Sequence, residues 1–160
     1  MHTGLKLYFD TSVISAYFDS EKPQRQLITQ KWFENEFDNF ECYISDLVLE
    51  ELEATKNDKK RSDMIDLTAK FEFIVLKLNP EIFELADLYM AKSKVLSTER
   101  SDAIHIACST YFEVNNIASW NFKHFVNIEV IKDIHEVNKQ LNYKITEIFS
   151  LLNLGGEKYG

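Results

Sequence analysis

Polar clusters interrupt apolar runs at four places in this sequence. Asp10-Thr11-Ser12 follows Leu7-Tyr8-Phe9, and Ser45-Asp46 with Glu51 beyond it follows Cys42-Tyr43-Ile44. Ser101-Asp102 ends a polar connection, and Asn121 follows Ile117-Ala118-Ser119-Trp120. Carboxylates that converge in a folded chain repel one another and normally require a cation between them. A set of two or three with open positions suits a hard divalent cation, which takes oxygen ligands and keeps several waters. Each residue also has a plainer use: Asp10 as a helix N-cap, Asp102 as a charge at a helix N-terminus, Glu51 as an exposed helix residue beside Glu50, and Asn121 as a turn former.

The elements that position them are legible from periodicity. Leu5 to Phe9 reads as a buried strand that stops at Asp10, and Val13, Ile14, Tyr17 and Phe18 recur at helical spacing beyond it. The pattern predicts a helix over 24–36, a strand over 42–44, a helix carrying Leu47, Val48, Glu51 and Leu52, a surface loop over 56–60, and a helix over 62–71. A third strand follows over 73–76, then a helix over 81–93 opened by Pro80. Asp102 begins a helix reaching about Val114, 117–120 is a fourth strand, Val130-Ile131 is a candidate fifth, and Ile134, Val137 and Leu141 mark a late amphipathic helix.

Strands separated by helices predict an α/β domain with a three-layer α/β/α arrangement and a central, mainly parallel sheet of four to five strands. Ligands in such sheets bind beyond the carboxyl ends of the strands, where Asp10 and Asn121 fall. The expected organisation is a single domain over 1–152 and a flexible polar tail over 153–160.

The chain has 160 residues and a net charge of −8, which argues against a broad basic face for coating nucleic acid. It does not exclude a nuclease, because bound cations return positive charge to a carboxylate site. Cys42 and Cys108 lack C-x-x-C spacing and read as reduced core thiols. No apolar run reaches the roughly 18–20 residues of a membrane span. Residues 1–6 lack the apolar region of a secretory signal, so a cytoplasmic protein is expected. No G-x-G-x-x-G or G-x-x-x-x-G-K-[ST] motif occurs. His105 reads as a packed histidine, and Trp32 and Trp120 as core aromatics.

Four segments carry a family resemblance. Leu7-Tyr8-Phe9-Asp10-Thr11-Ser12-Val13 resembles the opening strand and first acidic residue of the PIN-domain family. Tyr43-Ile44-Ser45 with Val48-Leu49-Glu50-Glu51-Leu52 resembles its second motif, whose Glu lies six residues beyond the Ser and so selects Glu51. Ser101-Asp102-Ala103-Ile104-His105 resembles the third, and Ser119-Trp120-Asn121-Phe122-Lys123-His124 the fourth. The resemblance runs in order from about Leu5 to Ile131.

It implies a PIN-like fold and an Mg²⁺- or Mn²⁺-dependent endoribonuclease, of the VapC type that forms the toxin of a toxin–antitoxin pair. Asp10, Glu51 and Asp102 would be the metal ligands and, with Asn121, the catalytic set. Thr11, Ser12 and Ser119 would orient them, and Lys123, His124 and Arg100 would contact RNA. The implied partners are an RNA substrate, an antitoxin protein and a second copy of the chain, with no membrane. The fourth motif departs from the family's pattern: Asn121 replaces an Asp, and His124 stands where many members carry a further acid. The site thereby loses up to two negative charges, which bears on a second metal more than on the first. Two alternatives follow: an RNA-processing nuclease without an antitoxin, and a PIN-like RNA- or protein-binding module with weak or no catalysis.

Overall fold

A strand buried on both faces reads as a continuous apolar run, and Leu7-Tyr8-Phe9 is buried throughout. In the computed structural model, which describes residues 3–160, this segment is β1 (Lys6–Phe9), the middle of a five-stranded sheet. Residues 1 and 2, the start of the stretch that lacks the apolar region of a secretory signal, lie outside the described residues. The other strands are β2 (Glu41–Ser45), β3 (Ile74–Leu76), β4 (Asn116–Ala118) and β5 (Glu147–Phe149). Their order is β3-β2-β1-β4-β5, and every neighbouring pair is parallel. Tyr8 registers with Tyr43 on one side and Ile117 on the other. The chain builds outward from β1 in one direction and then, from β4, in the other. That reversal opens a crevice at the carboxyl ends of β1 and β4.

The helices are α1 (Thr11–Ala16), α2 (Pro23–Asn35), α3 (Asp46–Glu53), α4 (Asp58–Lys70), α5 (Pro80–Lys92), α6 (Arg100–Tyr111) and α7 (Ile128–Gln140). Helices α1 to α4 pack on one another, as do α5 to α7, and the sheet lies between helical layers as the alternation predicted. Side chains alternate across a strand, so Phe9 and Tyr8 serve different layers. Phe9 enters an aromatic cluster with Trp32, Phe33, Phe37 and Phe73. Tyr8 meets Ser45 and His105 instead.

Three local expectations are corrected. Val130-Ile131 is not a strand but the start of α7: the Asn127 side chain accepts from the backbone N–H of Glu129 and Val130, and Val130, Ile134 and Val137 are buried at helical spacing. The fifth strand is Glu147–Phe149, in which only Ile148 is fully buried. Residues 58–60 belong to α4 rather than to a loop, because Asn57 caps it by accepting from the Lys60 N–H. Residues 151–154 and 156–159 form two 3-10 turns seated on α2. Trp32 Nε1 donates to the Leu154 carbonyl at 2.9 Å, and Tyr159 Oη to Glu36 Oε1 at 3.1 Å. Gly155 joins the turns at φ +96°, a backbone angle that favours glycine. Among the described residues, no helix is long and apolar enough to cross a membrane.

Candidate active site

Asp10 ends β1 in an extended conformation at the N-cap of α1, yet its side chain makes no capping hydrogen bond. Ser12 Oγ donates to Asp10 Oδ1 at 2.5 Å, and Ser119 Oγ donates to Oδ2 at 2.7 Å. The serines are themselves held by backbone. The Trp120 N–H donates to Ser12 Oγ, and the Asn121 N–H donates to Ser119 Oγ, both at 2.9 Å. Two backbone groups beyond β4 thus fix both oxygens of a carboxylate at the end of β1. Asp10 is 3% exposed. Burial pushes its carboxyl up to about 6, against the serine hydrogen bonds and the field of His105. No Lys or Arg pairs with it among the described residues.

Glu51 projects from α3, whose first residue follows β2 directly. Thr11 Oγ1 donates to Glu51 Oε1 at 2.8 Å, and His105 Nε2 lies 2.6 Å from the same oxygen. Burial works to raise this carboxyl, but the hydrogen bond and charge of His105, with Thr11, outweigh it and hold it low. His105, 2% exposed, comes from α6. Its Nδ1 lies 2.7 Å from Tyr8 Oη, which lies 2.8 Å from Ser45 Oγ. Burial raises the Tyr8 phenol well above its usual value, so it keeps its proton. His105 thus links Glu51 to Tyr8, and Tyr8 to Ser45, in one buried network.

Asp102 sits in the first turn of α6, where the helix dipole favours a carboxylate. His124 Nδ1 lies 2.7 Å from its Oδ2. Burial raises the Asp102 carboxyl, and the hydrogen bond and charge of His124 only partly offset that rise. Glu99 approaches the other nitrogen of His124 at 3.6 Å. Asn121 Oδ1 accepts from the His124 N–H at 2.9 Å, so this side chain fixes the turn that carries His124. Arg100 pairs with Asp87, and Lys123 is exposed.

Asp10, Glu51 and Asp102 therefore gather around His105, which exerts a field on all three. Their ligand atoms do not all lie within 4.8 Å of one another. Among the described residues, the one group of three whose ligand atoms all lie within 4.8 Å of one another is Glu99, Asp102 and His124. No sequence motif points to Glu99, and the pattern around His105 indicates packing alone. The donors at this edge are carboxylate oxygens with two imidazoles beside them, a set that fits a divalent cation. The buried Asp10, with both oxygens oriented by serine hydroxyls and no Lys or Arg paired with it among the described residues, is the strongest single element of that fit.

Comparison with known proteins bears on the family and the fold. The sequence model of one family, described as "PIN domain", matches residues 7–119, which include Asp10, Glu51 and Asp102 and stop short of Asn121. No curated protein sequence gives a significant match. A chain in the crystal structure of VapBC2 from Rickettsia felis, bound to a DNA fragment from their promoter, is similar with a TM-score of 0.52 at 9% identity. The likeness covers 90% of this chain and 97% of that one. At that identity it is a likeness of fold.

Proposed function

The chain belongs to the PIN-domain family, and from that premise we propose that it is a metal-dependent endoribonuclease whose site is the edge formed by Asp10, Glu51 and Asp102. The observation that carries this reading is Asp10: a buried carboxylate, anchored through Ser12 and Ser119 to backbone beyond β4, in the crevice between β1 and β4. A divalent cation held there supplies Lewis-acid polarisation of a scissile phosphate and acidifies a water. The chain's own residues do the positioning. Ser12 and Ser119 fix Asp10, Thr11 and His105 fix Glu51, and His124 orients Asp102. Partners of that kind set ligand geometry and affinity.

We further propose that the chain is the toxin of a toxin–antitoxin pair, with a protein antitoxin and a second copy of itself as partners. The fold likeness to a VapBC2 chain supports the antitoxin. A second reading, a binding module without catalysis, is favoured by His124 on Asp102 and by the use of the Asn121 oxygen in a turn.

A circular single-stranded RNA separates the two readings, because only an endonuclease opens it. With Mg²⁺ or Mn²⁺ the protein is expected to linearise the circle and then give discrete fragments, and EDTA to stop both. Intact circles at every metal concentration, with folded protein, would favour the binding module. Ser119→Ala removes one donor to Asp10 and raises its carboxyl further. The pH midpoint of Mn²⁺ binding is then expected to move up and the affinity at pH 7 to fall by about tenfold. An unchanged midpoint would remove Ser119 from the positioning of Asp10.

A further inference from the structure

We infer that an open groove running from the carboxylate edge toward α2 seats the neighbouring nucleotide of a single-stranded RNA, with its base on Phe122 and its phosphates on Lys22 and Lys123. This assignment rests on the nuclease reading above. The inner part of the groove, about 460 Å³, begins at Ser12 and Asn121, beside Asp10. The outer part, about 710 Å³, continues over α2 to Leu152. Lys22, Arg25, Trp120 and Phe122 line both parts, which makes them one surface.

Three features select the occupant. The first is charge. Lys22, Arg25 and Lys123 face one carboxylate, Asp19, in the inner groove, in a chain whose net charge is −8. The outer part adds Glu157. None of the three cations has a carboxylate partner among the described residues, whereas Arg100 pairs with Asp87 and Arg61 with Asp58. The second is an aromatic platform. Trp120 is only 5% exposed, and its Nε1 donates to Thr29, so it is a floor rather than a stacking surface. Phe122 is 42% exposed and meets Trp120 edge-on at 6.0 Å. The third is Arg25, whose guanidinium lies 5.0 Å from the Trp120 ring and 5.5 Å from Phe122. An exposed ring flanked by a guanidinium plane and amines is a surface for an unstacked base and its phosphates. Double-stranded RNA hides its bases and would not use Phe122.

The test measures binding of a fluorescent, random-sequence single-stranded RNA of about twelve nucleotides by anisotropy, in an Asp10→Asn background that removes cleavage. Phe122→Leu keeps apolar bulk but removes the π-face, and affinity is expected to fall at least about fivefold. Lys22→Gln is expected to lower the slope of log Kd against log salt by about 0.7. Ile128→Ser, at an 82%-exposed site on α7, is the control and should change nothing. Melting temperatures of all three should match their parent. Unchanged affinity in Phe122→Leu, or an unchanged salt slope in Lys22→Gln, overturns the groove even if RNA is cleaved. RNA binding that depends on Phe122, without metal-dependent cleavage when Asp10 is intact, overturns the nuclease reading and leaves the groove standing. No binding at all overturns the groove.

Discussion

Asp10→Asn is expected to make the metal-free protein more stable while reducing RNA cleavage by about 10³-fold, the scale of several kcal/mol of lost transition-state stabilisation. Burial raises the Asp10 carboxyl to about 6 in the folded chain, against about 3.9 for an unfolded aspartate. The folded state therefore binds this proton more tightly than the unfolded state does. The penalty is complete above pH 6, shrinks as pH falls from about 6 toward 4, and is absent below that. It amounts to on the order of 2–3 kcal/mol near neutral pH, or roughly 5–10 °C in Tm for a chain of this size. Asparagine keeps the shape and carries no charge, so the substitution removes the penalty at pH 7.5 and has little effect at pH 4. The difference in Tm between the two proteins, followed by calorimetry from pH 4 to 8, isolates Asp10 from Glu51, which titrates with the opposite sign. A difference that does not vary with pH would mean that Asp10 is ionised in the folded chain at no cost.

His105→Ala is expected to cost about 3–5 kcal/mol, through the cavity it leaves and the buried polar atoms it strands. The imidazole joins Tyr8 to Glu51, and Tyr8 joins it to Ser45. Removing it takes one of the two partners from the buried Tyr8 hydroxyl and one of the two from Glu51. Tyr8→Phe removes a single link and should cost about 1–2 kcal/mol. Because both changes break one network, the double variant should cost less than the two singles together. Chemical denaturation of the three proteins measures this. Full additivity would show that Tyr8 and His105 act independently.

Much of this arrangement is legible in the amino-acid sequence alone, for physical reasons that differ by residue. Asp10 stands out because it directly follows a strand buried on both faces, at the carboxyl end where such sheets bind ligands. Asp102 stands out at the start of a helix, and only the resemblance of 43–52 to the family's second motif selects Glu51 over Glu50. The layer order follows from the alternation of apolar runs, and the family from four motifs in order. His105 is not legible. Its neighbours Ala103, Ile104, Ile106 and Ala107 are all buried, so nothing in the local pattern separates a histidine that joins Glu51 to Tyr8 from one that merely packs. Glu99 is hidden because its approach to His124 depends on the turn after β4. Arg25 and Lys22 lie on a different element from every motif, and only tertiary packing brings them beside Phe122. Strand β5 escapes the pattern because three residues with one buried side chain make no periodic signal, while Val130-Ile131 offers a β-branched pair that α7 absorbs. The final segment has the composition of a tail because its anchors, the Leu154 carbonyl and Tyr159, bond to α2 and the residue after it, more than a hundred residues earlier.

Calorimetric titration of Mn²⁺ into the wild-type protein, Asp10→Asn and His124→Ala, at pH 7.5, locates the divalent cation. If the divalent cation sits on the edge led by Asp10, the wild type binds it, Asp10→Asn loses at least about tenfold in affinity, and His124→Ala, which takes only an orienting partner from Asp102, loses less than Asp10→Asn. Equal binding by the wild type and Asp10→Asn, with loss in His124→Ala, would instead put the cation on Glu99, Asp102 and His124 and contradict the assignment of Asp10.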